Sequence, residues 1–182
     1  MSVETLGLRR ALFLDRDGVI NQDKQYLVKV EDVVFVDGIF ELMKEAQRLG
    51  FVILVVTNQS GVARGYFSED EVRILHRWMA QEFEGAGVPI AGFYYSPFHP
   101  DGSVEAYRRS SDCRKPGPGM LKRAAAEHLI DLERSMLVGD KVGDLMAARA
   151  AGLARAYWLS PPDGEGEVDL GDCELVRAQS LR

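Results

Sequence analysis

Four stretches of this 182-residue chain carry side chains of kinds that do chemistry together. Asp15-Arg16-Asp17-Gly18 follows a short apolar run and Thr57-Asn58-Gln59-Ser60-Gly61 follows a longer one. Arg114-Lys115 ends a basic cluster just before Pro116, and Gly139-Asp140-Lys141-Val142-Gly143-Asp144 follows another apolar run. Acids, a hydroxyl, an amide and an ammonium are the parts of a magnesium-dependent phosphoryl-transfer site. Phosphate monoesters hydrolyse very slowly unaided, and their catalysis consists mostly of aligning a nucleophile and neutralising the equatorial oxygens. Carboxylates alone would repel the substrate. Mg²⁺ resolves that conflict by bridging carboxylate and phosphate oxygens, and it keeps neighbouring aspartates ionised. Asp15 is the candidate nucleophile, able to form an acyl-phosphate that water then hydrolyses. Asp17, two residues on, is the candidate general acid and base. Thr57 and Lys115 would stabilise the transferring phosphoryl group, and main-chain N–H groups from Asn58 to Gly61 offer an anion nest.

Taken singly, each stretch has a plainer reading. Asp15 with Asp17 fits a surface turn, Asp140 with Asp144 fits an acidic helix start favoured by the macrodipole, Thr57-Asn58 fits a polar turn, and Lys115 a solvated charge. An EF-hand is excluded, because Gly18 stands at the fourth position where that loop needs its glycine at the sixth. No G-x-x-x-x-G-K-[ST] loop is present, which argues against ATP-driven chemistry. The joint reading rests on position: every group falls at a strand end or, for Lys115, at the end of the long connection, so that all can meet at the end of the sheet where an open α/β fold binds its ligand.

The elements that must deliver these residues alternate. Ala11 to Leu14 reads as a buried strand, Gly38 to Leu49 as an amphipathic helix stopped by Gly50, and Phe51 to Val56 as a central strand covered on both faces. Ser68 to Glu71 is a capping box opening a helix to about Gly85, followed by a strand over Ile90 to Tyr95. Pro118 starts a helix to about Leu129, Ser135 to Val138 is a fourth strand, Val142 to Ala151 a helix stopped by Gly152, and Ala154 to Leu159 a fifth strand. This alternation predicts an α/β, Rossmann-like fold, a mainly parallel sheet with helices on both faces. Residues 1–182 are expected to form one domain. Residues 96–117 form a long connection without periodicity, of the kind that is usually functional, and 161–182 reads as surface loop with a short strand near Glu174 to Arg177.

Composition narrows the function. The charge is −6, from 22 basic and 28 acidic residues, which argues against a nucleic-acid partner. The acids Asp15, Asp17, Asp140 and Asp144 would gather at the magnesium site. No apolar run approaches the ~20 residues that span a bilayer, and the start of the chain lacks a signal-peptide core. Two cysteines, Cys113 and Cys173, make no disulfide scaffold. A cytoplasmic monomer without a membrane partner is the expectation.

The motifs Phe13 to Asn21, Thr57 to Gly65, Cys113-Arg114-Lys115-Pro116, Pro118-Gly119-Met120 and Val138 to Lys141 resemble those of the haloacid dehalogenase-like phosphohydrolases, across roughly residues 10–160. Within that superfamily they resemble the D-glycero-D-manno-heptose 1,7-bisphosphate 7-phosphatases, small enzymes without a large cap domain. The resemblance implies removal of the 7-phosphate by way of an aspartyl-phosphate on Asp15. It implies Mg²⁺ held by Asp15, the carbonyl of Asp17, and Asp140. It also implies substrate contacts from Asp23, Lys24, Gln25, Tyr26, Thr57, Asn58, Gln59, Ser60, Arg64, Arg114, Lys115 and Lys141. Histidinol-phosphate phosphatase, which shares the nucleophile and the Cys-Arg-Lys-Pro loop, is the alternative, and a non-catalytic sugar-phosphate binding protein is the second. One departure from the family pattern concerns zinc. Where a zinc loop would have Cys-Pro-His-His-Pro and Cys-Asp-Cys, this chain has Ser96-Pro97-Phe98-His99-Pro100 and Ser111-Asp112-Cys113. Ser96, Phe98 and Ser111 replace three ligands and only Cys113 is kept, so no structural zinc is expected. Phe98 with Tyr94, Tyr95 and Tyr107 is expected to build an apolar cluster in its place.

Overall fold

Residues Arg10–Leu14 form β1, and all but the first are buried, because this strand has neighbours on both edges and helices on both faces. In the computed structural model, which describes residues 7–159 and 168–182, β1 pairs in parallel with β2 (Phe51–Asn58) and with β4 (Met136–Gly139). β3 (Gly92–Ser96) extends the sheet beyond β2, and β5 (Arg155–Leu159) and β6 (Glu174–Ala178) extend it beyond β4. The order is β3-β2-β1-β4-β5-β6, parallel throughout.

Side chains alternate across a strand, so the sheet divides the core in two. Phe13, Leu54, Val56 and Leu137 pack under α3 (Gly119–His128) and α4 (Val142–Ala151). Leu12, Leu14, Ile53 and Val55 pack under α1 (Ile39–Arg48) and α2 (Glu69–Gly85), against Met43, Leu75, Met79 and Phe83. Burying each such side chain contributes about 2 kcal/mol. The α/β, Rossmann-like architecture with a parallel sheet and helices on both faces is therefore present, and the described residues include no large cap.

Local signals act where expected. Ser68 Oγ accepts the Glu71 N–H at 3.2 Å, and the Glu71 carboxylate accepts the Ser68 N–H at 2.8 Å, which closes the capping box of α2. Gly50 and Gly152 take left-handed φ of +83° and +81° just past α1 and α4. Some details differ. β3 runs Gly92–Ser96, two residues later at its start than Ile90, because its ladder begins with Gly92 opposite Leu54 and ends with Ser96 opposite Asn58. The short C-terminal strand is a full partner of β5, with Arg155 and Glu174 both paired in register and joined by a 2.6 Å ion pair. Part of the C-terminal stretch, residues 160–167, lies outside the described residues. The long connection is ordered: Glu105–Tyr107 form one turn of 3-10 helix, Val104 N–H donates to Ala63 O at 2.9 Å, and Ser103 Oγ donates to Arg64 O at 2.8 Å. Among the described residues no helix is long and apolar enough to cross a membrane.

The inner face of α2 also buries His76, whose ring stacks on Phe93 at 4.7 Å. Its Nε2 lies 3.2 Å from Arg16 Nη1, and a guanidinium only donates, so Nε2 accepts and the ring proton sits on Nδ1. Burial, and then the Arg16 charge, hold the His76 pKa well below the ordinary 6.5. The unfolded chain takes up a proton near 6.5 while the folded one stays neutral, so this contribution to stability is complete above 6.5 and is lost as pH falls. Urea denaturation is expected to show wild type losing stability more steeply from about pH 7 to about pH 5 than His76→Gln, whose amide accepts from Arg16 without titrating. Parallel pH curves for the two proteins would refute the linkage.

Candidate active site

The strand order reverses between β1 and β4, and the residues just past these two strands meet at the carboxyl edge of the sheet. Asp15 follows β1, and its N–H donates to Val138 O of β4 at 3.0 Å. Lys115 reaches the same point from the end of the long connection. Its buried ammonium lies 2.9 Å from Asp15 Oδ1 and 2.5 Å from Asp144 Oδ1, and donates to Val56 O at 2.8 Å. Asn58, the last residue of β2, grips the backbone of Lys115 from both sides: its Nδ2 donates to Lys115 O and its Oδ1 accepts Lys115 N–H, both at 3.0 Å. Asp144 enters from the first turn of α4, where its other oxygen accepts the Lys141 N–H at 3.0 Å. Only glycine fits at 139, because a Cβ there would lie 2.3 Å from that of Asp144.

Charge is unbalanced in this cluster. Oxygens of Asp15, Asp140 and Asp144 lie within 4.8 Å of one another, and among the described residues Lys115 is the one cation buried against them. Burial, reinforced by Asp144, pushes the Asp15 carboxyl up to about 7, and burial with Asp144 pushes Asp140 up to about 6. Burial favours neutral Lys115, but Asp144 and Asp15 outweigh it and hold its pKa above the usual lysine value. Asp140 Oδ1 is buried with no hydrogen-bond partner among the described residues. A hard divalent cation with oxygen ligands, such as Mg²⁺, fits this set: it satisfies the orphan oxygen and offsets the excess negative charge.

Asp17 is held apart from that cluster. Its carboxylate accepts from Arg16 Nη2 at 2.9 and 3.0 Å, Arg16 Nε at 3.1 Å, Asn21 Nδ2 at 3.0 Å and Gln59 Nε2 at 3.0 Å. Gln59 Nε2 also donates to Thr57 Oγ1 at 2.9 Å, so one buried amide ties the hydroxyl to the second aspartate. Asp15, Asp17, Thr57, Lys115 and Asp144 line one cavity of about 260 Å³.

A second cleft of about 380 Å³ opens beside it, lined by Asp17, Asp23, Gln25, Tyr26, Asn58, Gln59, Ser60, Gly61 and Lys141. Asp23 accepts the Gln25 N–H at 2.9 Å and pairs with Lys141 at 2.9 Å, and Gln25 and Tyr26 both take positive φ, 54° and 55°. Lys24 is exposed and lines neither cavity. The main-chain nest is smaller than Asn58 to Gly61: Gln59 N–H donates to Ser96 O at 2.8 Å, while the Ser60 and Gly61 N–H groups meet no acceptor among the described residues.

Arg64 and Arg114 form a separate pair. Each repels the other's charge, and burial with that repulsion lowers the Arg114 pKa. Among the described residues neither has a carboxylate within ion-pair distance, and Arg64 Nε is buried without a partner. Arg64 Nη2 lies 3.4 Å from His99 Nε2, and Arg114 Nη1 donates to Phe98 O at 3.3 Å. Ser96, Ser111 and Cys113 converge: Cys113 Sγ is 3.0 Å from Ser111 Oγ and 3.4 Å from Ser96 Oγ. The expected aromatic cluster forms in part. Phe98 and Tyr107 pack at 6.1 Å and Tyr95 joins the small core around Val62 and Phe67, but Tyr94 lies on the opposite face of β3, bonded to Glu127, because neighbouring strand residues alternate.

Several of these residues escape a reading of spacing alone. Asp144 is expected among the acids of the site but outside the ligand set of Asp15, Asp17 and Asp140, and nothing in its spacing shows that it pairs with Lys115. Arg16 lies between two aspartates at a strand end, a signal that it must pair, but nothing local points to His76.

A model of the HAD-hydrolase-like family matches residues 112–160. The D-glycero-alpha-D-manno-heptose-1,7-bisphosphate 7-phosphatase of Burkholderia mallei is 49% identical over 154 residues, covering 85% of this chain and 82% of that protein. The D-glycero-beta-D-manno-heptose-1,7-bisphosphate 7-phosphatase of Escherichia coli K12 is 47% identical over 164 residues, covering 87% and 86%. A crystal structure of a D,D-heptose 1,7-bisphosphate phosphatase from B. bronchiseptica, complexed with magnesium and phosphate, superposes with a TM-score of 0.75 at 27% identity over 94% of this chain and 93% of that one. With relatives this similar over most of both chains, the chain belongs to the haloacid dehalogenase-like phosphohydrolases and is a phosphoric monoester hydrolase.

Proposed function

We propose that this enzyme removes the 7-phosphate of a D-glycero-D-manno-heptose 1,7-bisphosphate, with Mg²⁺, through an aspartyl-phosphate on Asp15. The observation that carries the chemistry is the buried cluster of Asp15, Lys115, Asp140 and Asp144 at the sheet edge. Among the described residues the two donors to the Asp15 carboxylate, Arg16 N–H at 2.7 Å and Lys115 Nζ at 2.9 Å, act on Oδ1. They orient the group and leave Oδ2 as the attacking oxygen. Oδ2 forms the bond to phosphorus as the ester oxygen leaves, and Asp17 gives that oxygen a proton. Asp17 then takes a proton from water, whose attack on phosphorus releases phosphate and restores Asp15. Lys115, the Thr57 hydroxyl and the Ser60 and Gly61 N–H groups neutralise the phosphoryl oxygens. Asp15, the Asp17 carbonyl and Asp140 would hold Mg²⁺, with Asp144 close by, and the ion supplies positive charge that draws the anionic substrate to an acidic site. Asn58 and Gln59 act here by positioning Lys115, Asp17 and Thr57, and Asp23, Gln25 and Tyr26 with Lys141 wall the sugar cleft. We read the chain as one cytoplasmic, monomeric phosphatase domain over residues 1–182, with no nucleic-acid or membrane partner.

Arg64 and Arg114 favour a bisphosphate over histidinol phosphate. Two guanidiniums without carboxylate partners among the described residues fit a second phosphate, whereas histidinol phosphate carries an amine and an imidazole at its far end, which such a pair repels. The zinc-free reading of the 96–117 segment is supported by two hydroxyls and one thiol where thiolates would be needed.

Phosphate release is expected from both anomers of the heptose bisphosphate to exceed that from histidinol phosphate; the reverse preference would overturn the substrate assignment. Asp15→Asn should lower kcat by more than ~10³-fold without loss of the fold. Turnover retained in that variant would remove Asp15 as nucleophile, and absence of turnover in wild type would favour a binding protein. EDTA should abolish activity and Mg²⁺ restore it. Metal analysis of the purified protein is expected to find no stoichiometric zinc, and one zinc per chain would contradict the reading of the loop.

A further inference from the structure

The carboxylate of Glu69 holds two phenols, one on each oxygen. Tyr95 of β3 donates to Oε2 at 2.6 Å and Tyr107 of the long connection donates to Oε1 at 2.9 Å. The start of α2 does not need this group, since Ser68 and Glu71 already close its capping box. Burial and the Glu69 bond push the Tyr95 phenol up to about 12, and the Glu69 bond raises Tyr107, so both remain donors at ordinary pH.

Tyr107 passes this anchorage to both Arg64 and Arg114. Its ring packs on Phe98 at 6.1 Å, and its carbonyl accepts the His99 N–H at 3.2 Å. Phe98 O is the acceptor for Arg114, and the His99 ring is the contact of Arg64. Arg109 covers the Phe98 ring at 4.0 Å, which fixes that residue further. Lys115 is anchored separately, by Asn58, Asp15 and Asp144. The side chains of the arginine pair and the Lys115 ammonium are therefore held by different contacts, beside the Val104 and Ser103 bonds that tie the connection to Ala63 and Arg64.

We propose that Glu69 is a positioning residue for substrate selection: through Tyr107, Phe98 and His99 it sets Arg114 and Arg64 to receive the phosphate that is not hydrolysed. This rests on reading those arginines as the contact to the second phosphate. Glu69 touches neither substrate nor the reacting atoms.

Steady-state kinetics on heptose 1,7-bisphosphate and on para-nitrophenyl phosphate, which has no second phosphate, tests it in Glu69→Gln, Tyr107→Phe and the double variant. The single variants are expected to raise KM for the bisphosphate about 3- to 10-fold with kcat little changed, and to leave kcat/KM for the simple ester within about twofold. The double variant should be no worse than either single one, because both break one linkage. Arg114→Ala is the control for the underlying reading. If it leaves the bisphosphate KM unchanged, that reading falls and the proposal with it. If it raises KM while Glu69→Gln and Tyr107→Phe do not, or if these two slow both substrates alike, the proposal alone is overturned.

Discussion

The buried ammonium of Lys115 stands between Asp15 and Asp144, with Asp140 close by, and the surrounding structure is arranged to make that possible. An ammonium taken from water is tolerable only with carboxylates in good geometry, and removing one partner of such a pair costs about 3–5 kcal/mol. The chain meets that demand from four places. β1 brings Asp15, α4 brings Asp144, the missing side chain at Gly139 lets Asp144 come close, and Asn58 fixes the backbone of Lys115. The parallel sheet matters to function because it aligns the ends of β1, β2 and β4 within reach of one another.

The same logic governs the second aspartate. Asp15 and Asp17 are two residues apart, yet their carboxylates have separate environments, one facing Lys115 and the other Arg16. The fully buried Arg16 needs acceptors all round, and it finds them in Asp17, Leu27 O and the neutral ring of His76. A helix on one face of the sheet is thus joined through one guanidinium to the group assigned proton transfer. Separation of the two carboxylates by their surroundings is what lets adjacent acids of the same type take different tasks.

Much of this was legible in the residues. The apolar runs and capping signals located the strands and helices, since buried strands and amphipathic helices have distinct periods, and the rule that ligands sit beyond strand ends then located Asp15, Thr57 and Asp140, with Lys115 marked by its place at the end of the long connection. What periodicity cannot supply is the partner of a polar side chain across the fold. Asn58 and Gln59 looked like groups facing a ligand, but their amides are committed to Lys115, Asp17 and Thr57. The union of Glu69 with Tyr107, 38 residues apart, left no local trace. Tyr94 and Tyr95 were indistinguishable in sequence until strand alternation sent one to each face.

The Asn58 clamp separates address from cargo. It grips the peptide groups of residue 115 and ignores its side chain, so the location is specified by atoms that every residue type except proline possesses. Only the ammonium depends on the identity of the residue. Such a socket is a natural point of divergence: descendants of this scaffold can exchange the functional group presented at the sheet edge without first rebuilding the loop that delivers it.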